Sequence, residues 1–252
     1  MEHAIQRHLE KVKSVMPNWE THLIGVFLYG SQNYNVHTKN SDVDTKAIYV
    51  PTLEELSFRG PDESRTLILD NGEHCELMSI THLVDNLFKQ NVNFLEILWT
   101  PYYWVNPAWE VDWKNMLNCK EELAHYDVKK AVLSISGQAI HTLKQCNLDG
   151  KKYGNSLRML RFLEEYLHNK PYIQCIRLHD LSLMRQTILQ YKTNEISVTQ
   201  FEVDSLMKLF IQTRDDFAKD PAIKDSKVES YYRTLVKKII MEGIMRYEEE
   251  NF

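Results

Sequence analysis

The 252 residues are 43% hydrophobic, 26% charged and 11% aromatic, with 30 Lys+Arg against 35 Asp+Glu and a formal net charge of −5. That balance excludes a disordered chain and a protein basic over its whole surface, and the length allows one large domain or two small ones sharing a core. The four cysteines, Cys75, Cys119, Cys146 and Cys175, stand far apart with no CxxC pair, which argues against a disulfide framework or a structural zinc site and fits a reducing compartment. Met1 is not followed by a basic patch and an apolar run, and the longest apolar stretch, around Leu23 to Tyr29, falls far short of the ~20 residues of a spanning helix. The expectation is a soluble cytoplasmic protein without a membrane partner.

Glu2 to Val15 reads as an opening helix ended before Pro17. Leu23 to Tyr29 and Thr45 to Val50, the latter stopped by Pro51, read as strands. Thr66 to Asp70 and His74 to Ile80 flank Asn71-Gly72 and predict an antiparallel hairpin with a type I′ turn. From Thr81 onward apolar residues recur at spacings of three and four: Leu83, Leu87 and Phe88; Leu157, Leu160, Leu163 and Leu167; Ile188 and Leu189; Leu206, Leu209 and Phe210; Leu235, Ile239, Ile240 and Ile244. These predict an N-terminal α/β unit followed by a helical bundle, joined between Trp104 and Asp127. Trp99, Tyr102, Tyr103, Trp104, Trp109 and Trp113 are expected to seal that junction rather than stack on bases. Glu248-Glu249-Glu250 reads as a solvated tail.

Charge divides the chain. Residues 1–126 hold 10 basic and 18 acidic side chains, net −8, whereas residues 127–192 hold 11 and 5, net +6.

The segment richest in chemistry is Tyr29-Gly30-Ser31, ten residues, then Asp42-Val43-Asp44. On an extended chain Asp42 and Asp44 project from one face, and two carboxylates held together call for a cation, most simply a divalent metal. A strand ending at Gly30-Ser31 offers a turn where backbone approaches a ligand and a hydroxyl meets phosphate oxygens. Glu76 lies on a strand expected beside the one bearing Asp44, and three acids converging on a sheet would make a two-metal site for nucleotidyl transfer with Mg2+ or Mn2+. Arg158 and Arg161, three apart on a predicted helix with Lys151 or Lys152 before them, form a candidate phosphate clamp. Tyr153 is read as packing rather than base stacking, and Glu96 as an ion pair or cap.

The blocks Gly30-Ser31-Gln32-Asn33-Tyr34-Asn35 and Ser41-Asp42-Val43-Asp44-Thr45-Lys46-Ala47-Ile48-Tyr49-Val50 resemble the nucleotidyltransferase superfamily typified by DNA polymerase beta. More narrowly, they are similar to the predicted nucleotidyltransferases associated with RNA repair ligases of bacteria and phages. Lys89 to Glu96 and Lys151 to Arg161 extend the likeness, which covers roughly residues 23–170. Asn35 and Ala47 stand where glycine is usual, Lys46 replaces an arginine, and Arg158 a histidine.

The resemblance implies an α+β polymerase beta-like nucleotidyltransferase fold, a small mixed sheet with flanking helices followed by a C-terminal helical bundle. Residues 1–110 would form the catalytic domain and 111–252 the helical domain completing the cleft. Asp42 and Asp44 would bind both metals, Glu76 would complete the catalytic metal and help activate the acceptor hydroxyl, and two Mg2+ (or Mn2+) ions would accompany the bound NTP. Gly30 and Ser31, through backbone amides and hydroxyl, would hold the triphosphate, with Ser41, Lys46, Lys152, Arg158 and Arg161 as further nucleotide-binding candidates. The implied activity is transfer of a nucleoside monophosphate from an NTP, with ATP favoured, to an RNA end such as tRNA. Nucleotidylation of a protein or small-molecule hydroxyl and a non-catalytic nucleotide-binding module are the alternatives.

Overall fold

The computed structural model describes residues 1–58, 64–219, 221 and 225–251, with side chains through residue 246. Helix α1 (Glu2–Val15) spans the predicted range and buries Ala4, Ile5, His8, Leu9 and Val12, a stripe at helical spacing. The short α2 (Trp19–His22) leads into β1 (Leu23–Tyr29), whose apolar run is buried nearly end to end because neighbours cover both its faces. β2 (Asp44–Tyr49) pairs antiparallel with β1, placing Asp44 opposite Tyr29. After α3 (Leu53–Phe58), β3 (Arg65–Ile68) and β4 (His74–Ser79) form the expected antiparallel pair. β4 runs parallel to β2 with Glu76 beside Lys46, and β5 (Tyr103–Val105) closes the other edge antiparallel to β1. The sheet order is β3-β4-β2-β1-β5.

The hairpin turn differs from the prediction. Gly72 takes φ +83° while Asn71 does not turn left-handed, and the Gly72 N–H donates to the Leu69 carbonyl at 2.9 Å, with Leu69 N–H donating to Glu73 at 2.9 Å. A three-residue loop needs only one left-handed position, so the Asn-Gly signal marked the hairpin but not its turn type.

The rest is helical: α4 (Ile80–Phe88), α5 (Val92–Leu95), α6 (Glu110–Leu117), α7 (Lys120–Ala124), α8 (Val128–Lys144), α9 (Gly150–Leu167), α10 (Tyr172–Ile176), α11 (Leu183–Lys192), α12 (Gln200–Ala218) and α13 (Ser226–Asn251). The architecture is mixed α+β, as expected. Side-chain caps start several of these helices. Asp127 accepts from the Lys130 amide, Asp149 from the Lys152 amide, and Thr199 with Glu202 forms a capping box.

The buried face of α9 is set by Tyr153, Met159, Phe162, Leu163 and Tyr166, while Leu157 and Leu160 are half-buried and Leu167 is exposed. The aliphatic spacing found the helix, and large rings at the same period take most of its buried face because they bury more area. Leu209 is likewise exposed, between the buried Leu206 and Phe210.

α8 packs on both α9 and α12, α11 packs on α9, and α13 touches α2, α4 and α6. One apolar cluster runs from Phe27 and Ile48 in the sheet to Phe210 and Tyr232 in the helices. The tryptophans stitch it together. Trp109 is fully buried with its Nε1–H on the Thr21 carbonyl at 2.8 Å, Trp113 lies 4.1 Å from the Phe27 ring, and Trp99 lies 4.5 Å from Tyr172. Truncating a buried ring of this kind costs ~3–5 kcal/mol. Among the described residues no helix is long and apolar enough to cross a membrane. The side chains of Glu248, Glu249 and Glu250 lie outside the described residues.

Candidate functional site

β1 ends at Tyr29, and Gly30 takes φ +87°, a left-handed conformation that a side chain would strain. The turn is closed by Asn33 and Tyr34 amides donating to the Gly30 carbonyl at 3.0 and 3.3 Å. Asn35, where the resembled family has glycine, takes φ 61°, which asparagine tolerates best among residues with a side chain. Its amide nitrogen donates to the Leu178 carbonyl at 3.0 Å and to Asp180 at 2.7 Å, anchoring the loop to the segment between α10 and α11. The loop returns through Ser41, whose Oγ accepts from the Thr38 amide at 2.8 Å. Asp42 and Val43 precede β2 and Asp44 is its first residue, so the expected acidic strand is mostly approach. Both carboxylates nevertheless reach one cavity while Val43 is buried.

That cavity, about 260 Å³, joins the two halves of the chain. Gly30, Ser31, Ser41, Asp42 and Asp44 line one side. Thr142 of α8, Lys151, Asn155 and Arg158 of α9, and Lys192 of α11 line the other. Lys192 arrives there because two glycines one turn apart let α11 press on α9. A Cβ at Gly150 would stand 2.0 Å from the Tyr191 carbonyl oxygen, and one at Gly154 3.2 Å from that of Ile188.

The cations are unusually bare. Arg158 is 4% exposed, lies 3.6 Å from the centre of the Tyr34 ring, and has a buried Nε without a hydrogen-bond partner. Lys192 donates to the Val36 carbonyl at 2.7 Å, and burial, aided by Lys151 and Arg158, pulls its pKa down to about 8. Among the described residues Lys151, Arg158 and Lys192 form no ion pair.

Facing them, Asp44 has a buried Oδ1 with no hydrogen-bond partner; His74 Nδ1, at 3.6 Å, is too far to supply one. Burial holds the Asp44 carboxyl above its ordinary range, with Asp42 pushing the same way against His74. An orphaned buried carboxylate oxygen beside a second carboxylate is chemistry that fits a hard divalent cation.

Other expected site residues are placed differently. Glu76 sits beside Lys46 on the neighbouring strand and is ion-paired to it, and neither lines the cavity. Lys46 is 2% exposed, its Nζ 4.2 Å from the Tyr29 ring and 4.3 Å from that of Phe94, so it is occupied by Glu76 and two aromatic faces. Among the described residues no three His, Cys, Asp or Glu side chains cluster as a metal site. Lys152 donates to the Gln145 carbonyl at 2.7 Å, and Lys151 is the lysine of the pair that reaches the cavity. Arg161 pairs with Glu165 at 2.6 Å and lines a separate cavity with Arg177 and His179, so the expected clamp divides. Tyr153 packs edge-on against Tyr191. The Gly30 amide donates to Glu96 at 3.0 Å and is therefore committed within the protein. Ser31 lines the cavity and its hydroxyl has no protein partner among the described residues.

Lys192 was missed by the sequence reading. Its only signal was the Gly150-x-x-x-Gly154 spacing, which permits close helix approach but does not name the partner helix.

No protein-family profile matches the chain, and no curated protein matches it in sequence. Among solved structures it is similar to a nucleotidyltransferase-like protein from Exiguobacterium sibiricum, at 10% identity over 83% of this chain and 77% of that one, with TM-score 0.32. It is also similar to the Cid1 poly(U) polymerase, at 12% identity over 83% of this chain and 64% of that one, with TM-score 0.25. The chain thus spans under two thirds of the polymerase's length.

Proposed function

We propose that the chain is a metal-dependent nucleotidyltransferase that moves a nucleoside monophosphate from an NTP, ATP favoured, to a hydroxyl acceptor and releases pyrophosphate. The observation that carries this reading is one cavity with Asp42 and Asp44 on one wall and Lys151, Arg158 and Lys192 on the other. A triphosphate with its divalent ions needs that pairing: carboxylates for the metal and unpaired cations for the phosphates. The likeness of the Gly30 to Val50 block to the polymerase beta superfamily supports the same reading.

Asp42 and Asp44 would hold Mg2+ or Mn2+, for which one or two carboxylates completed by substrate phosphates suffice. When bound, the metal supplies charge neutralisation for the phosphates and polarises them toward attack. Arg158, fixed against Tyr34, and the ammonium groups of Lys151 and Lys192 would bind and orient the phosphates, and Ser31 would donate its hydroxyl. The acceptor oxygen attacks the α-phosphorus as the bond to the bridging oxygen of the β-phosphate breaks; the hydroxyl proton passes to solvent and pyrophosphate leaves. Glu76, ion-paired to Lys46 and outside the cavity lining, would join this set only by exchanging that partner. Residues 1–110 would carry the acidic wall and residues 111–252 the basic one.

For the acceptor we favour an RNA end, supported by the resemblance to RNA-repair-associated enzymes and by the net +6 of residues 127–192. The net charge of −5 favours a protein or small-molecule hydroxyl as the second acceptor class. The Lys46–Glu76 pair is what favours a binding module without turnover.

The test is incubation of α-labelled NTPs with Mg2+ and either bulk RNA or cellular protein, followed by mass spectrometry of labelled products. Labelled RNA from wild type and none from the Asp42→Asn, Asp44→Asn double variant is the expected result. Label on protein would reassign the acceptor, and NTP binding without pyrophosphate release under any acceptor would replace the enzyme by the binding module.

A further inference from the structure

We infer that Glu96 is a positioning residue of this site: its buried carboxylate holds the Gly30 turn from below and, through Tyr34, sets the guanidinium of Arg158 over the cavity. The inference rests on the nucleotide reading above for the identity of the ligand and on hydrogen-bond geometry for the rest.

Glu96 opens a 3-10 turn directly after α5 and is 1% exposed. Its Oε2 accepts the Gly30 amide at 3.0 Å and the Asn33 side-chain amide at 3.1 Å, and its Oε1 accepts the Tyr34 hydroxyl. Asn33 is itself fixed, donating to the Leu28 carbonyl at 3.0 Å and accepting from the Thr100 hydroxyl at 2.8 Å. One carboxylate therefore ties together the last turn of β1's exit, the loop behind it and the strap at Thr100.

Burying a carboxylate this deeply is costly unless donors surround it, and here the donors are neutral. The charged group nearest in this network is Arg158 from α9, which stacks on the Tyr34 ring at 3.6 Å and makes no ion pair with Glu96. Glu96 thus orients the aromatic platform without consuming the guanidinium, whose N–H groups remain for a ligand. The other titratable groups whose charge Glu96 influences are Tyr29 from β1 and Tyr172 from α10, besides Tyr34 itself. Burial raises the Glu96 carboxyl to about 7 against the pull of these hydrogen bonds.

This arrangement also changes what the glycine turn presents. With the Gly30 amide spent on Glu96, what this turn can still offer a phosphate comes from the neighbouring Ser31, whose hydroxyl has no protein partner among the described residues, and not from the glycine amide.

Glu96→Gln, Tyr34→Phe and the double variant separate positioning from mere stability. Glutamine still offers one oxygen to Gly30 and Asn33, but its NH2 meets the Tyr34 hydroxyl, and that phenol, 5% exposed, loses its acceptor. Phenylalanine at position 34 keeps the ring for Arg158 and removes the orphaned hydroxyl. Two measurements are made on the full-length protein well below the melting temperature: Mg-ATP dissociation constants by calorimetry, and hydrogen–deuterium exchange of residues 30–36.

Glu96→Gln should weaken Mg-ATP binding by about tenfold, the scale of one lost hydrogen bond to a charged group, and speed exchange across residues 30–36. The double variant should bind more tightly than Glu96→Gln alone. An unchanged dissociation constant with only a lowered melting temperature would make Glu96 a stability residue and overturn the inference, as would a double variant no better than Glu96→Gln. If wild type takes up no Mg-ATP, the nucleotide reading falls, and the exchange arm still decides the turn: faster exchange upholds Glu96 as its holder, and unchanged exchange removes that role.

Discussion

Gly150→Ala probes the contact that brings the basic wall together. The new methyl carbon would sit 2.0 Å from the Tyr191 carbonyl oxygen, against favourable contact distances of ~3.5–4.0 Å between carbons, so α9 and α11 must part by over an ångström. Overpacking of this kind costs ~1–3 kcal/mol. The offsetting gain in helix propensity is a fraction of the ~1 kcal/mol seen in helix interiors, because Gly150 is the first residue of α9. At roughly 2–4 °C per kcal/mol for a chain of this size, the melting temperature should fall by about 2–10 °C. Lys192 follows Tyr191 directly, so its ammonium shifts away from Lys151 and Arg158 and Mg-ATP affinity should fall as well. Gly137→Ala is the matched control: in α8 nothing lies within 4 Å of the added carbon, and up to ~1 kcal/mol of stabilisation is expected. Thermal unfolding followed by circular dichroism, with Mg-ATP titrations of both variants, gives the comparison. Gly150→Ala as stable as Gly137→Ala, or unchanged in affinity, would refute the claim that this contact places Lys192.

The two arginines of α9 should now separate. Arg158→Ala should weaken Mg-ATP binding at least tenfold, and Arg161→Ala, engaged with Glu165 in another cavity, should leave it within twofold; equal effects in equilibrium titrations would contradict the placement. Lys192 should react with an amine-directed reagent as pH rises through about 8, well before exposed lysines, and Mg-ATP should protect it. Peptide mapping that finds Lys192 labelled no earlier than the exposed Lys219 would sink that expectation. Glu96 carries the pH signature: its folded pKa of about 7 exceeds the ordinary 4.5, so the folded state holds a proton that the unfolded chain gives up. The stability this contributes is complete below about pH 4.5 and is lost toward pH 7, with a slope of at most ~1.4 kcal/mol per pH unit. The stability difference between wild type and Glu96→Gln, from urea unfolding in the absence of metal, should shrink over that interval; a flat or rising difference would reject burial as the cause.

Local chemistry was legible in the residues. β1 announced itself as an unbroken apolar run, α1 by its stripe and Pro17, and β3 and β4 by the Asn71-Gly72 turn signal. The Gly30-Ser31 turn and the Asp42, Asp44 pair, close in sequence on either side of one loop, could be assigned to a common cavity because a short loop leaves few alternatives. Where rings share that period, as on α9, aliphatic spacing found the helix, and the rings take most of its buried face.

Partnerships between distant segments were a different matter. The strand bearing Glu76 was expected beside the one bearing Asp44, and β4 does pair with β2, but its parallel register sets Glu76 opposite Lys46, a choice made by strand pairing rather than by either residue. Lys192 enters the cavity only because Gly150 and Gly154 admit α11, and Arg161, although three residues from Arg158, is drawn to Glu165 and lines a separate cavity with Arg177 and His179. Glu96 acquires its role from three donors 62 to 66 positions away. Sequence by itself located α1, the first four strands and the longer periodic helices, and where the acidic pair and glycine turn lie, since those depend on neighbours along the chain. The cations that face the pair, and the carboxylate that holds the turn, were decided only by tertiary packing, since a charge's partner is whatever the fold brings within a few ångströms.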